Sequence, residues 1–475
     1  MGTATGLSAL VAGPDAWTPV LRSPIVVVVA GIGGSGIVDA AMADSTLAEA
    51  ALLRFEPNCA PPCDALLWRL ETASGQGVNE PGVLARQWHR RPYAMTLRLV
   101  QYQPGSVTPE ILDEGTLGTR GARAMFNAAV DRLAMRLVRD AVLGRERGPA
   151  GTAPAAAVNG LPGWLDAVLS RWHDRLMVEW WSIGSTAMPI ERVLAGDGLG
   201  DVTWYRTRAG SRYLADPFPW PGTNRILCEE MPLSHGVGRI VAVVEAGGTL
   251  APPTVLLDDG FHHSYPCTLR DGETVYCVPE STQRGATRIH RLNDDGMLVP
   301  ICDVAPHARL ADPTLFRWNG RYWLGCTDLD LGGHDNLCLL HATAITGPWT
   351  AHARWPVKID IRGARPAGMV FNADGRLFRP GQNCAATYGA AVAVHEILTL
   401  NETEFRETLV AELRPDRAGP FPHGLHTLVH DGERFWIDGK RYILDLGSFW
   451  KKLLGRASGM LASAGAGTAT GRGAD

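Results

Sequence analysis

Asp216 and Asp312 stand in the same four-residue run, LADP, and offer paired carboxylates. Glu280, in CVPES, offers a third. Paired carboxylates break and form glycosidic bonds, and two acids facing each other push their pKa values apart by mutual repulsion. A lone Asp-Pro is ordinarily a turn or a strand start. Two in register with a glutamate point to catalysis. Further along, Arg365, Arg379, His426, Lys440 and Arg441 form a basic group. Guanidinium and ammonium groups beside carboxylates favour an anionic ligand, phosphate above all. Together these residues predict a sugar phosphate or nucleotide-sugar donor and a glycan, lipid or small-molecule acceptor.

The elements that must carry these residues repeat. LADPFPW, HHSYPCTLRDGETVYCVPES, LADPTLFRWNGRYWLGCTD, ARPAGMVFNADGRLFRPGQN and GLHTLVHDGERFWIDGKR restate one pattern of strand, tight turn and strand. Its anchors are Asp216, Tyr265, Asp312, Arg365 and His426, separated by 49, 47, 53 and 61 residues. Asp-Gly or Asn-Gly turns at 271, 319, 374 and 431 are strong hairpin signals, and Pro221-Gly222 takes their place in the first repeat. A proline opens most of the strands, where an N–H has no ladder partner. Five such units predict a five-bladed β-propeller over 203–445. Counting eight residues past each turn glycine gives Glu230, Glu280, Asp328, Asn383 and Lys440, expected on the same rim as the anchors. His262, just before Tyr265, joins them as a binding residue.

The 475 residues are too many for one ordinary core, and 45% hydrophobic with 20% charged is a globular balance. A net charge of -4 gives no basic footprint for nucleic acid. The longest apolar run, 25–30, is far short of a membrane span, and nine scattered cysteines fit a reduced, cytoplasmic chain. Cys228, Cys267, Cys277, Cys302, Cys326 and Cys338 lie in apolar strand-like runs and read as small core residues.

LADPFPW, SYPCTLRDGETVYCVPES, ARPAGMVFNADGRLFRPGQNCAATYG and GLHTL…DGKR resemble the N-terminal propeller domain of glucosamine inositolphosphorylceramide transferases. That domain is similar in turn to the propellers of glycoside hydrolase family 43. The resemblance implies that Asp216 is base or nucleophile and that Asp312 tunes pKa. Those hydrolases keep their general acid in the fourth blade, where this chain has Arg365. The departure implies a leaving group that needs no proton, such as phosphate, and hence glycosyl transfer. A family 43 type hydrolase using Asp216, Asp312 and Glu280, and a non-catalytic glycan-binding propeller, are the alternatives. The transfer reading calls for no cofactor and no metal.

Upstream, 1–147 reads as an α/β domain. IVVVVAGIGGSG is a strand entering a glycine-rich turn, with Gly31, Gly33 and Gly36 in GxGxxG spacing and Glu56 as the ribose acid. A nucleotide-dependent enzyme is therefore a further alternative. Residues 64–145, with LDEGTLGT and a long amphipathic helix over 120–143, resemble the hydrolase core of formyltransferase-like proteins. Asp113 alone of the expected catalytic set survives, which implies a degenerate module. Residues 148–202 read as linker and connecting helical segment, and 446–475 as a short helix and disordered tail.

Overall fold

A computed structural model describes residues 66–142, apart from 79–81, 91–93, 103–107 and 120–122, and residues 176–444, apart from 207–210, 234–235 and 294–295, together with strands at 10–11, 25–28 and 52–54. Gly31, Gly33, Gly36 and Glu56, the linker at 148–157 and the tail lie outside these residues.

Downstream of 176 the chain builds five sheets of four or five strands, each antiparallel throughout. The innermost strands of the first three are Ser211–Pro219, Ser264–Asp271 and Leu310–Trp318. Phe371–Ala373 and Leu428–His430 continue the ring in the fourth and fifth. Hairpin turns set the register: Asp271 pairs with Thr274, Trp318 with Arg321 and Ala373 with Arg376. The fold is mostly β, and the five blades follow the five repeats.

The fifth blade differs from the expectation. Its two outer strands, Met177–Thr186 and Thr203–Trp204, precede the first blade in sequence. Met177–Thr186 lies antiparallel to Phe435–Leu444, pairing over ten residues from Thr186 with Phe435 to Met177 with Leu444. Part of the expected connecting segment is thus a blade strand that closes the ring. Apolar side chains at alternate positions of neighbouring blades fill the interior, among them Phe218, Cys267, Leu315 and Val429. Of the expected core cysteines, Cys228, Cys267, Cys277, Cys326 and Cys338 are buried and Cys302 is half-buried, all unbonded.

The upstream residues form one six-stranded mixed sheet. Its strand at 25–28 pairs in parallel with 52–54 and 66–72, and the later strands Ala94–Tyr102 and Glu110–Gly118 are antiparallel. Helix Arg123–Val142 packs Phe126, Val130, Leu133 and Leu137 onto that sheet. Ile359, from the short propeller strand Lys358–Ile359, is buried in the same cluster. The Ile361 N–H donates to Thr116 O at 2.7 Å, and Arg362 pairs with Glu114 at 3.3 Å. Sheet and propeller therefore share a core and an edge. Asp113 is 3.8 Å from Arg136 of the helix.

Candidate active site

Three anchors carry unusual backbone. Asp216, Tyr265 and Asp312 have φ of 52°, 46° and 49°, the left-handed region that side chains with a Cβ rarely use. Each precedes a proline, which favours an extended predecessor, so strain of roughly 1–3 kcal/mol per residue is held here. The turn aims each N–H at a carboxylate of another blade or of the same ring. Asp216 N–H donates to Asp438 at 3.2 Å, Tyr265 N–H to Asp216 at 3.0 Å, and Asp312 N–H to Glu280 at 2.9 Å. These bonds tie the fifth blade to the first, the first to the second and the second to the third.

The carboxylates do not share one environment. Asp216 accepts from the Thr427 hydroxyl at 2.9 Å and lies 3.6 Å from His426 Nε2. Burial raises its pKa to about 6, and Asp438 and Asp312 add to the rise against the pull of His426. Glu280 is raised to about 8, by burial first and then by the charge of Asp312. Burial also pushes Asp312 up, but Arg365 outweighs it and the net shift is downward. Arg365 Nε donates to Asp312 at 2.6 Å and its Nη2 at 3.2 Å, a two-pronged grip. Gln382 Nε2 donates to the same carboxylate at 2.6 Å.

His426 sits 2.6 Å from Asp438 through Nδ1 and stacks on Trp181 with ring centroids 4.0 Å apart. Burial alone would lower its pKa, but Asp438 and Asp216 raise it to about 9. Asp216, His426 and Asp438 each bring one ligand atom within 4.8 Å of the others, close enough to hold a cation. The protonated imidazole already supplies the positive charge there.

The expected binding residues divide. Tyr265 is buried and crosses the channel: its hydroxyl lies 2.8 Å from the Thr314 hydroxyl and accepts the Gly368 N–H at 2.6 Å. Gly368 has φ 133°, and a Cβ there would meet Leu428 O at 2.0 Å, so only glycine fits. His262 accepts the Gly238 N–H at 3.0 Å and lies 3.7 Å from Glu229. Lys440 is fully buried; its ammonium reaches Glu179 at 3.2 Å and Tyr388 O, and lies near the rings of Trp181, Tyr388 and Tyr442.

The others point away from the carboxylates. Glu230 is held by Ser211 and by Arg239 at 2.8 Å. Asp328 caps its own loop and accepts from Trp355 Nε1 at 3.0 Å. Asn383 donates to Glu412 at 3.0 Å. Arg379 is buried in a pair with Glu407, at 2.7 Å, beside Lys358. Arg441 is exposed over Trp180 and Phe421. Arg365 itself, expected to clamp phosphate, has its nitrogens committed to Asp312, Gly333 O and His334.

Residues outside the expected set complete the cluster. Glu229 takes the place expected of Glu230: it pairs with Ala215 as Glu280 pairs with Ser264. Burial and the charge of Asp216 push its pKa well up. Gln382 replaces Asn383, and Asp438 and Thr427 complete the surroundings of Asp216. Tyr388 lies 5.2 Å from the Arg365 guanidinium and 5.3 Å from the His426 ring, and His334 is 5.4 Å from Tyr388.

The arrangement is a propeller whose central cluster of buried acids has unlike pKa values. The resemblance read from the motifs is borne out: residues 195–417 match the family described as "Glucosamine inositolphosphorylceramide transferase 1, N-terminal". Glucosamine inositolphosphorylceramide transferase 1 of Arabidopsis thaliana is 30% identical over 210 residues, 42% of this chain and 27% of that protein. The protein of that name in Oryza sativa subsp. indica is 28% identical over 209 residues, again 42% of this chain and 28% of its own length. The chain thus spans little more than a quarter of these relatives. Among solved structures, a thermostable family-43 glycoside hydrolase aligns over 50% of this chain and 96% of its own, with 12% identity and a TM-score of 0.36. An exo-β-1,3-galactanase from Phanerochaete chrysosporium aligns over 44% and 54%, with 13% identity and a TM-score of 0.35.

Proposed function

We propose that this chain forms or breaks a glycosidic bond, transferring a sugar to an acceptor hydroxyl, with Glu280 as proton donor and Asp216 as base or nucleophile. One observation carries the reading: three buried carboxylates in one cluster have their pKa values pushed apart, to about 8 for Glu280, about 6 for Asp216 and downward for Asp312. At neutral pH Glu280 keeps a proton that it can give to the departing glycosidic oxygen. Asp216 is ionised and can take the acceptor's proton or add to the anomeric carbon. Asp312 stays ionised against Arg365 and, through its charge, holds Glu280 protonated.

The proton donor missing from the fourth blade is thus supplied from the second. With it in place the leaving group need not be phosphate, and Arg365 serves as partner to Asp312. Transfer is favoured by the relatives, which are named transferases. Hydrolysis is the second reading, favoured by the same proton donor, since water can replace the acceptor.

The test incubates the chain with nucleotide sugars and with 4-nitrophenyl glycosides, with and without added alcohol or sugar acceptors, and follows release and product mass. New glycosides from either donor support transfer, and free sugar alone supports hydrolysis. If no donor is consumed while Asp216→Asn and Glu280→Gln bind sugars as tightly as the unaltered chain, the site is a binding surface and the catalytic reading falls.

A further inference from the structure

A pocket of about 560 Å³ lies between the upstream sheet-and-helix unit and the propeller mouth. One wall is the helix Arg123–Val142, which presents Met125, Phe126 and Ala129; the other is propeller, with Met177, Leu331 and Ile361. The two walls are fastened: Arg132 of the helix donates to Leu331 O, and Ile361 N–H to Thr116 O at 2.7 Å. Its lining includes His334 and Tyr388; both contact Arg365, and Tyr388 also meets the His426 ring edge-on. The pocket therefore adjoins the carboxylate cluster through His334 and Tyr388, which stand between it and Arg365.

Its chemistry differs from that of the cluster. Met125 is an apolar side chain 50% exposed. The acidic side chains among the described lining residues are Glu179 and Asp335, and no lysine or arginine is among them. Lys440, close by, has its ammonium committed to Glu179 and Tyr388 O. His334 is kept neutral, its pKa lowered to about 3 by burial and by Arg365. An anion entering here would meet these two acidic side chains and, among the described lining residues, no lysine or arginine. A neutral group with an apolar body would cover Met125, Met177 and Leu331, the lining apolar side chains that are not already buried, and displace water from them, within the size range of ordinary ligand pockets.

We infer that this pocket is a second subsite, built jointly by the upstream unit and the propeller, which holds the uncharged apolar portion (an aryl or alkyl aglycone) of a glycoside whose sugar lies at Asp216 and Glu280. The inference rests on the proposed glycosidic chemistry and gives the upstream unit a part in substrate selection. It places the aglycone against Met125 and Met177, and it excludes a nucleotide or phosphate from that side.

The experiment uses the full chain labelled with ¹³C at methionine methyls and titrates it with methyl glycosides, the matching benzyl glycosides, benzyl alcohol and a nucleotide sugar. Benzyl glycosides are expected to bind at least tenfold tighter than methyl glycosides and to shift the methyl signals of Met125 and Met177. Met125→Asp, at a half-exposed site, is expected to remove that tenfold advantage while leaving methyl glycoside affinity unchanged. Met125→Leu is expected to retain it. Equal affinity for benzyl and methyl glycosides, or indifference to Met125→Asp, would overturn the subsite and leave the carboxylate chemistry standing. A nucleotide sugar shifting the same methyls would overturn its uncharged character. Benzyl alcohol moving them while no glycoside binds would overturn the sugar chemistry, and this assignment with it.

Discussion

Asp216 and Asp312 share the LADP motif, the left-handed backbone and the start of an inner strand, and both are almost wholly buried. Their carboxyls nevertheless move in opposite directions, one up to about 6 and the other down. The blade that holds each one does not cause the difference. Asp312 is gripped by Arg365 of the fourth blade, whereas Asp216 faces His426 and Thr427 of the fifth and feels the negative charge of Asp438. A repeated motif places the acid; the unlike residue in the next blade gives it its chemistry.

The sharpest way to test that contrast is to remove the proton that Asp312 keeps on Glu280. Glu280→Gln is expected to lower turnover roughly 10²- to 10⁴-fold, the usual worth of a positioned acid. The loss should be smaller for 2,4-dinitrophenyl glycosides, whose leaving group needs no proton. Steady-state rates on both donors check this, and an equal loss on the two would remove Glu280 from the acid role.

Breaking the grip itself comes next. Arg365→Ala leaves Asp312 buried without its cation and is expected to destabilise the fold by about 3–5 kcal/mol. Adding Asp312→Asn should restore part of that. Urea unfolding of the two variants measures both. No recovery in the double variant would mean that Arg365 stabilises through packing, not charge.

The pH dependence separates the two acids without mutation. Activity is expected to rise as Asp216 ionises near pH 6 and to fall as Glu280 loses its proton near pH 8. Stability follows a different course. His426, raised from 6.5 to about 9, binds its proton more tightly when folded, so its contribution is whole below pH 6.5 and lost as pH climbs through 9. Glu280, raised from 4.5 to about 8, acts in the same direction between those values. The melting temperature should therefore fall from pH 6.5 to 9, and His426→Gln should flatten the slope. The smallest effect is expected at Arg441: Arg441→Ala removes an exposed ring contact worth about 0.5–1 kcal/mol and should leave turnover unchanged.

The repeats made the blades and the five anchors legible, because Asp-Gly and Asn-Gly turns mark hairpins wherever they occur. Side-chain direction was harder to read. The turn at Asp271 puts glycine first in its two-residue loop, whereas those at Asn319 and Asp374 put it second. One count from glycine thus lands on Glu280 in the second blade but one residue too far in the next two, on Asp328 and Asn383 instead of Thr327 and Gln382. In the first blade a longer turn and a bulge between Leu227 and Glu229 move the inward residue from Glu230 to Glu229. That the basic residues pair internally was not legible, since Glu407 and Asp312 lie 28 and 53 residues from the arginines they hold.

The closing strand sets the order in which this molecule can be made. Met177–Thr186 leaves the ribosome long before Phe435–Leu444, its ten-residue partner. At translation rates of roughly 5–20 residues per second, on the order of 10 to 50 seconds pass between them. In that interval the earlier strand, with Trp180 and Trp181, has only the short Thr203–Trp204 strand to pair with. Blades one to four can form while the ring stands open with an unsatisfied edge. Closure, and with it the His426–Trp181 stack and the hydrogen bond from Asp216 N–H to Asp438, arrives only with the last blade, so Asp216 acquires its affinity for protons in the final step of folding, after Asp312 and Glu280 have theirs.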